Sequence, residues 1–343
     1  MNNILIGDKI VSCLKELRQQ MSQITCNDTL MAFDSDFCTL LEKEHDDYIT
    51  GRLKRCFQEL SKIEAIDYDE RIRTAYESYN EALVYYQLKY KYKCLIKDIP
   101  ENRNKTPDYE LTYSEDNDNI EKKVFLELKA IAFAGGIGAY KKGQKDALAA
   151  NISIEKQISI QQSYGRKVVI ACAEREVCPL GHGTLQEQLN EIIKKVDNNY
   201  KKEQFAFGDT ILAVDLNQIG MTYDELDCRA ITRSSNKIGY ATGRLWVLAC
   251  GTKGDAFYST PEFEGKPNID RSPLMFNGVL KTYSDIKGVI FFLGRTPENR
   301  CAVGFYRYNE SDGSVAAIIQ SVCKDFNDDL NSIYDYSLVN KRR

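Results

Sequence analysis

An apolar run of eight residues, from Val124 to Ile131, is interrupted by two charged residues, Glu127 and Lys129. Alternation along a β-strand would place Glu127 and Lys129 on one face and the aliphatic residues around them on the other. A strand this apolar is typical of a sheet covered on both faces, where a charge is costly unless it is paired or bound to a metal ion. We therefore expect a buried strand in which both charged residues have partners.

The residues upstream of this strand predict a hairpin with a cation site. The chain's one Pro-Asp step, Pro107-Asp108, precedes a strand pattern over 109–113 and a polar turn over 116–119. An antiparallel hairpin over these residues brings Asp108 close to Glu127. Two carboxylates suit Mg²⁺, and Lys129 adds a positive charge that can orient an attacking water and stabilise the charge that develops on a phosphate. The pattern predicts a metal-dependent phosphodiesterase site.

This arrangement resembles the PD-(D/E)XK nuclease superfamily, which has the restriction-endonuclease-like fold. Pro107-Asp108 matches the first element of its motif and Glu127-Leu128-Lys129 matches the second, and the resemblance covers roughly residues 70 to 175. It implies a Mg²⁺-dependent endonuclease, with Mn²⁺ as a substitute, in which Asp108 and Glu127 bind metal and Lys129 is catalytic. A role in restriction, repair or anti-phage defence follows from the same resemblance.

The resemblance also implies auxiliary residues and an oligomeric state. The family core begins with a helix that can carry an acid, which points to Glu81 as a further catalytic and metal-binding residue. A helix after the catalytic strand carries a glutamine or basic residue, which points to Gln157. Because two sites are needed to cut two strands, a homo-oligomer is expected. The alternative is an ordinary hairpin with an ion pair, since the acid-x-Lys pattern also occurs at Glu121, Glu264 and Asp285.

The net charge of −4 argues against a uniformly basic nucleic-acid binder, so the distribution of charge matters more than the sum. Lysines near the expected site could bind phosphate backbones, and they are Lys105, Lys141, Lys142 and Lys145. DNA is the preferred partner and RNA the other candidate. The competing function is a noncatalytic nucleic-acid or protein interaction module on the same fold.

Hydrophobic periodicity predicts an α/β protein with a restriction-endonuclease-like mixed central sheet flanked by helices. We expect a helical N-terminal region over 1–65, the nuclease core over 66–204, and a C-terminal α/β extension or small lobe over 205–343. Helices are expected over 4–21, 36–61, 72–92 and 184–201. Beyond the hairpin, strands are expected over 166–173, 210–216, 245–250, 288–293 and 301–308.

Composition restricts the compartment and the chemistry. The eleven cysteines form no CxxC pair, no secretory leader precedes them, and no apolar stretch approaches the roughly 20 residues of a membrane span. These features predict a soluble, cytoplasmic protein without a membrane partner. With only two histidines, a Ser-His-Asp site is hard to assemble.

Overall fold

A computed structural model of the 343-residue chain describes residues 5 to 323, with internal gaps. The gaps are 22–29, 31, 64–67, 101–104, 115–120, 132–135, 167, 172–184, 220–232, 236–237, 241–242, 255, 259–268, 298 and 307–312. The polar turn expected over 116–119 therefore lies outside the described residues.

A six-stranded mixed sheet forms the centre of the molecule. Its strands are β1 (Leu95–Asp98), β2 (Tyr109–Ser114), β3 (Glu121–Ala130), β4 (Thr210–Asp215), β9 (Ile286–Leu293) and β10 (Cys301–Tyr306), which neighbour one another in that order. The β3–β4 and β4–β9 pairs are parallel and the other pairs are antiparallel. Two short hairpins lie outside this sheet, β5 (Arg233–Ser235) with β6 (Ile238–Tyr240) and β7 (Ala256–Tyr258) with β8 (Ile269–Pro273).

Helices cover both faces of the sheet. They are α1 (Ile6–Met21), α2 (Ser35–Lys43), α3 (Asp47–Leu60), α4 (Tyr68–Tyr86), α5 (Gly136–Ser163), α6 (Leu185–Asn199), α7 (Arg244–Cys250), α8 (Val279–Thr282) and α9 (Ser314–Val322). Helices α1 to α4 and α9 bury their apolar residues against one face, and α6, α7 and α8 against the other. Each face of the sheet therefore has its own hydrophobic core.

The expected hairpin is confirmed. Strands β2 and β3 pair antiparallel, with Tyr109 opposite Leu126. The pairing ends there because Pro107 has no N–H with which to continue the ladder. Strand β3 runs on to Ala130 beside β4, so its last residues lack a strand partner on the β2 side. This notch in the sheet edge is the place where Asp108 lies.

Three sequence expectations about elements are wrong. The expected helix over 36–61 is divided into α2 and α3, because His45 has a positive φ of 51° and Asp46 begins a new helix by accepting the N–H groups of Tyr48 and Ile49. The expected strand over 245–250 is helix α7; its apolar run is buried all round, and periodicity cannot distinguish a short buried helix from a strand.

The third error concerns the strand expected over 166–173. The described part of this segment, 166 and 168–171, is not in the sheet, and Val168 and Ile170 are exposed. The Gln161 side chain instead bonds the Ile170 backbone, donating to its carbonyl at 2.7 Å and accepting its N–H at 3.4 Å. The parallel neighbour of β3 is β4, which follows both α5 and α6.

The chain is thus a mixed α/β protein with an open six-stranded sheet between helical layers. Strands from the expected core and from the expected C-terminal region, 205–343, belong to this one sheet. No helix in the described part of the chain has the length and apolar character needed to cross a membrane.

Candidate active site

Asp108 occupies the notch at the edge of the sheet. Its backbone N–H donates to the Leu126 carbonyl at 3.1 Å, which keeps it in line with β2. Its carboxylate Oδ2 accepts the N–H of Leu128 at 2.7 Å. The side chain therefore accepts the Leu128 N–H at the point where the β2–β3 ladder has ended. This bond fixes Asp108 against β3 and places it across from Glu127.

Glu127 and Lys129 share a face of β3, as the strand period requires. Their register partners on β4, Leu212 and Val214, belong to the core beneath α6 and α7. The Glu127 side chain is 1% exposed, and its Oε1 accepts a bond from Lys129 Nζ. Its Oε2 is buried and has no hydrogen-bond donor among the described residues. The expected partnership of the two charges is confirmed, and one carboxylate oxygen remains available.

Glu81 approaches the same place from helix α4. The Tyr109 hydroxyl donates to the Glu81 carbonyl at 3.1 Å, which ties the helix to the strand residue that follows Asp108. The Glu81 carboxylate lies 2.7 Å from Arg52 Nη1 on α3, an ion pair whose angles fall outside hydrogen-bond geometry. Arg52 also lies over the Tyr48 ring, 5.0 Å from its centroid. Glu81 is thus held by Arg52 rather than by the Asp108–Glu127 pair.

Burial and like charges shift the pKa of both glutamates upwards. The pKa of Glu127 is raised to about 7, first by burial and then by the charge of Asp108, with Lys129 and Lys201 opposing the shift. Burial also raises the pKa of Glu81 to about 7, and Asp108 adds to this while Arg52 and Arg55 oppose it. Three acids therefore interact through space at this edge, which is characteristic of functional sites as well as of ion-pair networks.

The Asp108–Glu127 pair fits a hydrated Mg²⁺ ion in its chemistry. Both residues present carboxylate oxygens, one of which, Glu127 Oε2, is buried without a donor. Mg²⁺ is commonly bound through one or two carboxylates, with water and substrate phosphate completing its coordination. Within the described ranges, no group of three or more His, Cys, Asp or Glu side chains is placed to hold a metal ion. Glu81 accordingly does not complete a three-ligand set in this arrangement.

The other expected site residues lie elsewhere or outside the described side chains. Gln157 is on α5, where its amide donates to Ser153 Oγ at 3.3 Å, a contact within its own helix rather than with the acids. Lys105 is exposed, three residues before Asp108. The remaining expected lysines are on α5, and their side chains are outside the described residues: Lys141, Lys142 and Lys145.

Sequence reasoning missed two cations that the fold brings to the acids. Arg55 on α3 acts on Glu77 and Glu81, and Lys201, just after α6, acts on Glu127. Both side chains are exposed. Arg55 lies in the expected helical N-terminal region, 1–65, and Lys201 at the end of the helix expected over 184–201, so both are far in sequence from Asp108 and Glu127. Only the tertiary fold identifies them.

A second polar cluster lies on the opposite face of the sheet and is fully buried. Arg300 Nη2 lies 2.9 Å from Asp215 Oδ2, and both side chains are at most 1% exposed. The Tyr76 hydroxyl donates to Asp215 Oδ1 at 3.0 Å, and Asn217 donates to Oδ2 at 3.0 Å. Arg300 Nε donates to Gln87 Oε1 at 2.9 Å. Because every one of these groups is enclosed, we assign the cluster a structural role.

Comparison of the chain with protein-family models, with curated proteins and with solved structures gives no match.

Proposed function

We propose that this chain is a metal-dependent nuclease that hydrolyses phosphodiester bonds, with DNA as its preferred substrate. The observation that carries the proposal is the pairing of Asp108 and Glu127 at the notch of the sheet, with Lys129 on the Glu127 carboxylate. Asp108 is held by a backbone N–H and Glu127 by an ammonium, so both carboxylates are oriented before any ligand arrives.

Asp108 and Glu127 would hold Mg²⁺, or Mn²⁺ in its place, and the bound ion would supply charge neutralisation and an activated water. Lys129 keeps Glu127 oriented through its contact with Oε1 and leaves the buried Oε2 without a hydrogen-bond donor among the described residues. The Lys129 side chain is 18% exposed, so its ammonium can also meet a phosphate oxygen entering from solvent. Burial of Glu127 strengthens these electrostatic effects because little water screens them.

Glu81 has a supporting part in this proposal. Its carboxylate interacts with Asp108 through space and is held by Arg52, so it adjusts the charge of the pair without contacting it. Association of two copies of the chain, so that both strands of a duplex are cut, is part of the proposal as well. Gln157 is left out because its described contact is within α5.

Cleavage by the purified full-length chain tests the proposal. Duplex DNA, single-stranded DNA and RNA are incubated with Mg²⁺, with Mn²⁺ or with EDTA. We expect metal-dependent cleavage of DNA, abolished by EDTA, and a loss of about 100-fold or more in rate for Glu127→Gln and for Lys129→Met. Both variants keep the side-chain volume, and circular dichroism and thermal unfolding establish that they are folded.

The hairpin itself provides a matched control. Glu110 and Lys123 form an acid–lysine pair across β2 and β3, 2.8 Å apart and away from the notch. Glu110→Gln should cleave at the wild-type rate. Cleavage that persists in Glu127→Gln or in EDTA contradicts the proposal. Binding of DNA with no cleavage in either metal also overturns it and favours the noncatalytic module, whereas selective cleavage of RNA corrects the substrate.

A further inference from the structure

The negative charge of the acids at the notch opposes the binding of a polyanionic substrate. Four acids interact electrostatically in succession: Glu77 with Glu81, Glu81 with Asp108, and Asp108 with Glu127. Asp108 raises the pKa of both Glu81 and Glu127. A phosphate backbone approaching this group is repelled unless cations lie beside it. Arg52 and Lys129 are each already paired with a glutamate. Further exposed cations at the rim are therefore needed for the phosphates on either side of the one that reaches Lys129.

Arg55 provides such a cation on one side. It lies on α3 three residues after Arg52, so the two side chains share a face of the helix. Arg52, one turn earlier on this face, lies 2.7 Å from the Glu81 carboxylate, which places Arg55 on the side of the helix that faces the acids. The Arg55 guanidinium accordingly opposes the rise in the pKa of Glu77 and of Glu81. Arg55 is exposed and, within the described residues, forms no hydrogen bond or ion pair of its own. It is therefore available to an incoming anion.

Lys201 provides a cation on the other side. It follows α6, which packs on the opposite face of the sheet from α3, and its charge opposes the rise in the pKa of Glu127. The turn that it begins is fixed next to the Asp108 segment. The Gln204 N–H donates to the Lys201 carbonyl at 3.0 Å, and the Gln204 side chain donates to the Thr106 carbonyl at 3.3 Å. The acids thus lie between two exposed cations from opposite layers.

We propose that the sugar–phosphate backbone of a DNA strand crosses the sheet edge between Arg55 and Lys201, each of which binds one phosphate group. This inference rests on the proposed function, since it names the path of the substrate over the same site. It assigns the N-terminal helical region a part in substrate binding, through α3. Arg52 is a positioning residue in this arrangement, because it acts through Glu81.

The number of phosphates contacted is measurable from the salt dependence of binding. Binding of a labelled duplex to the full chain is measured in EDTA from about 50 to about 200 mM KCl. Removing one phosphate contact lowers the slope of log affinity against log salt by about 0.9, and affinity at about 0.1 M salt falls about fivefold to tenfold. We expect this for Arg55→Gln and for Lys201→Gln, and about twice the change in slope for the double variant.

Neighbouring exposed lysines supply the controls. Lys54→Gln and Lys202→Gln remove the same charge one residue away, and both lysine side chains are exposed. Neither has a hydrogen bond or ion pair with the acids among the described residues. These two variants should keep the wild-type slope. Arg55→Lys and Lys201→Arg keep the positive charge and should show most of the wild-type slope, which separates a charge effect from a folding defect. In Mg²⁺, Arg55→Gln and Lys201→Gln should raise KM with little change in kcat.

The outcomes separate this inference from the proposed function. If Arg55→Gln and Lys201→Gln keep the slope of the Lys54→Gln and Lys202→Gln controls while the wild type cleaves DNA, the path is wrong and the nuclease stands. If the wild type binds DNA without cleaving it and the slopes change as expected, the path stands and catalysis is wrong. If the wild type binds no DNA, both are overturned.

Discussion

Removing one partner of the buried Asp215–Arg300 pair should destabilise the protein far more than removing both. In the folded chain Arg300 donates to Asp215 at 2.9 Å, and neither side chain is more than 1% exposed. Asp215→Ala leaves the guanidinium enclosed beside Tyr76, Asn217 and Gln87, which cannot neutralise it. An unpaired charge in a low-dielectric interior is among the most costly defects in a fold.

The magnitude follows from the groups involved. Breaking a buried ion pair from one side costs about 3–5 kcal/mol. The hydrogen bonds from Tyr76 and Asn217 to the carboxylate are lost as well, and each contributes about 1 kcal/mol. We therefore expect Asp215→Ala to lower the free energy of unfolding by about 5–7 kcal/mol. Asp215→Leu combined with Arg300→Met replaces the pair by apolar groups and should cost less than either single change.

Urea unfolding followed by circular dichroism measures these free energies. The control is the partly exposed pair of Glu110 and Lys123, where Glu110→Ala should cost no more than about 1 kcal/mol. If Asp215→Ala costs less than about 1 kcal/mol, or if the double variant is less stable than both singles, the assignment of this cluster as a structural ion pair is refuted.

Three further predictions concern backbone strain, pH and the notch. Gly294→Ala should lower the free energy of unfolding by more than about 2 kcal/mol, because the added Cβ would lie 2.1 Å from the Asn299 carbonyl oxygen. Gly254 has a similar φ and open space around it, so Gly254→Ala should cost less. Thermal unfolding compares the two variants. The pKa of Glu127 and of Glu81 is raised from 4.5 to about 7, so the folded state binds these protons more tightly and stability should fall by about 1–3 kcal/mol per carboxyl as the pH rises through this window. Urea titrations at several pH values should show a flatter dependence for Glu127→Gln, and an unchanged slope would contradict the shift. Asp108→Ala should destabilise the fold by about 1–2 kcal/mol because the Leu128 N–H loses its acceptor, while Asp108→Asn, which keeps an acceptor oxygen, should cost less.

The hairpin and the acid pair could be predicted from sequence because local rules govern them. The period of two placed Glu127 and Lys129 on one face, and the missing N–H of Pro107 fixed where the ladder ends. The segments over 245–250 and 168–171 could not be predicted, because apolar residues do not reveal whether tertiary contacts will bury them as a helix, bury them as a strand or leave them exposed.

Partners that are distant in sequence were beyond prediction for a different reason. Asp215 and Arg300 are separated by 85 residues, and each has an ordinary local context. Arg55 and Lys201 approach the acids only because α3 and α6, from opposite layers, reach the same sheet edge. Such proximity depends on the packing of whole elements and leaves no pattern in the residues around each position.

Helix α4 joins the two polar clusters, and this connection has a mechanical consequence. Tyr76 on α4 bonds to Asp215, and Gln87, the residue that follows α4, bonds to Arg300 about three helical turns further along the chain. The helix can therefore neither slide nor rotate on the sheet without breaking both bonds. Glu77 and Glu81 lie on the same helix between these anchors. The buried cluster on one face therefore fixes the position of α4, and with it the distance of these glutamates from Asp108 at the notch. Loosening the cluster would misalign the acids before the protein unfolds.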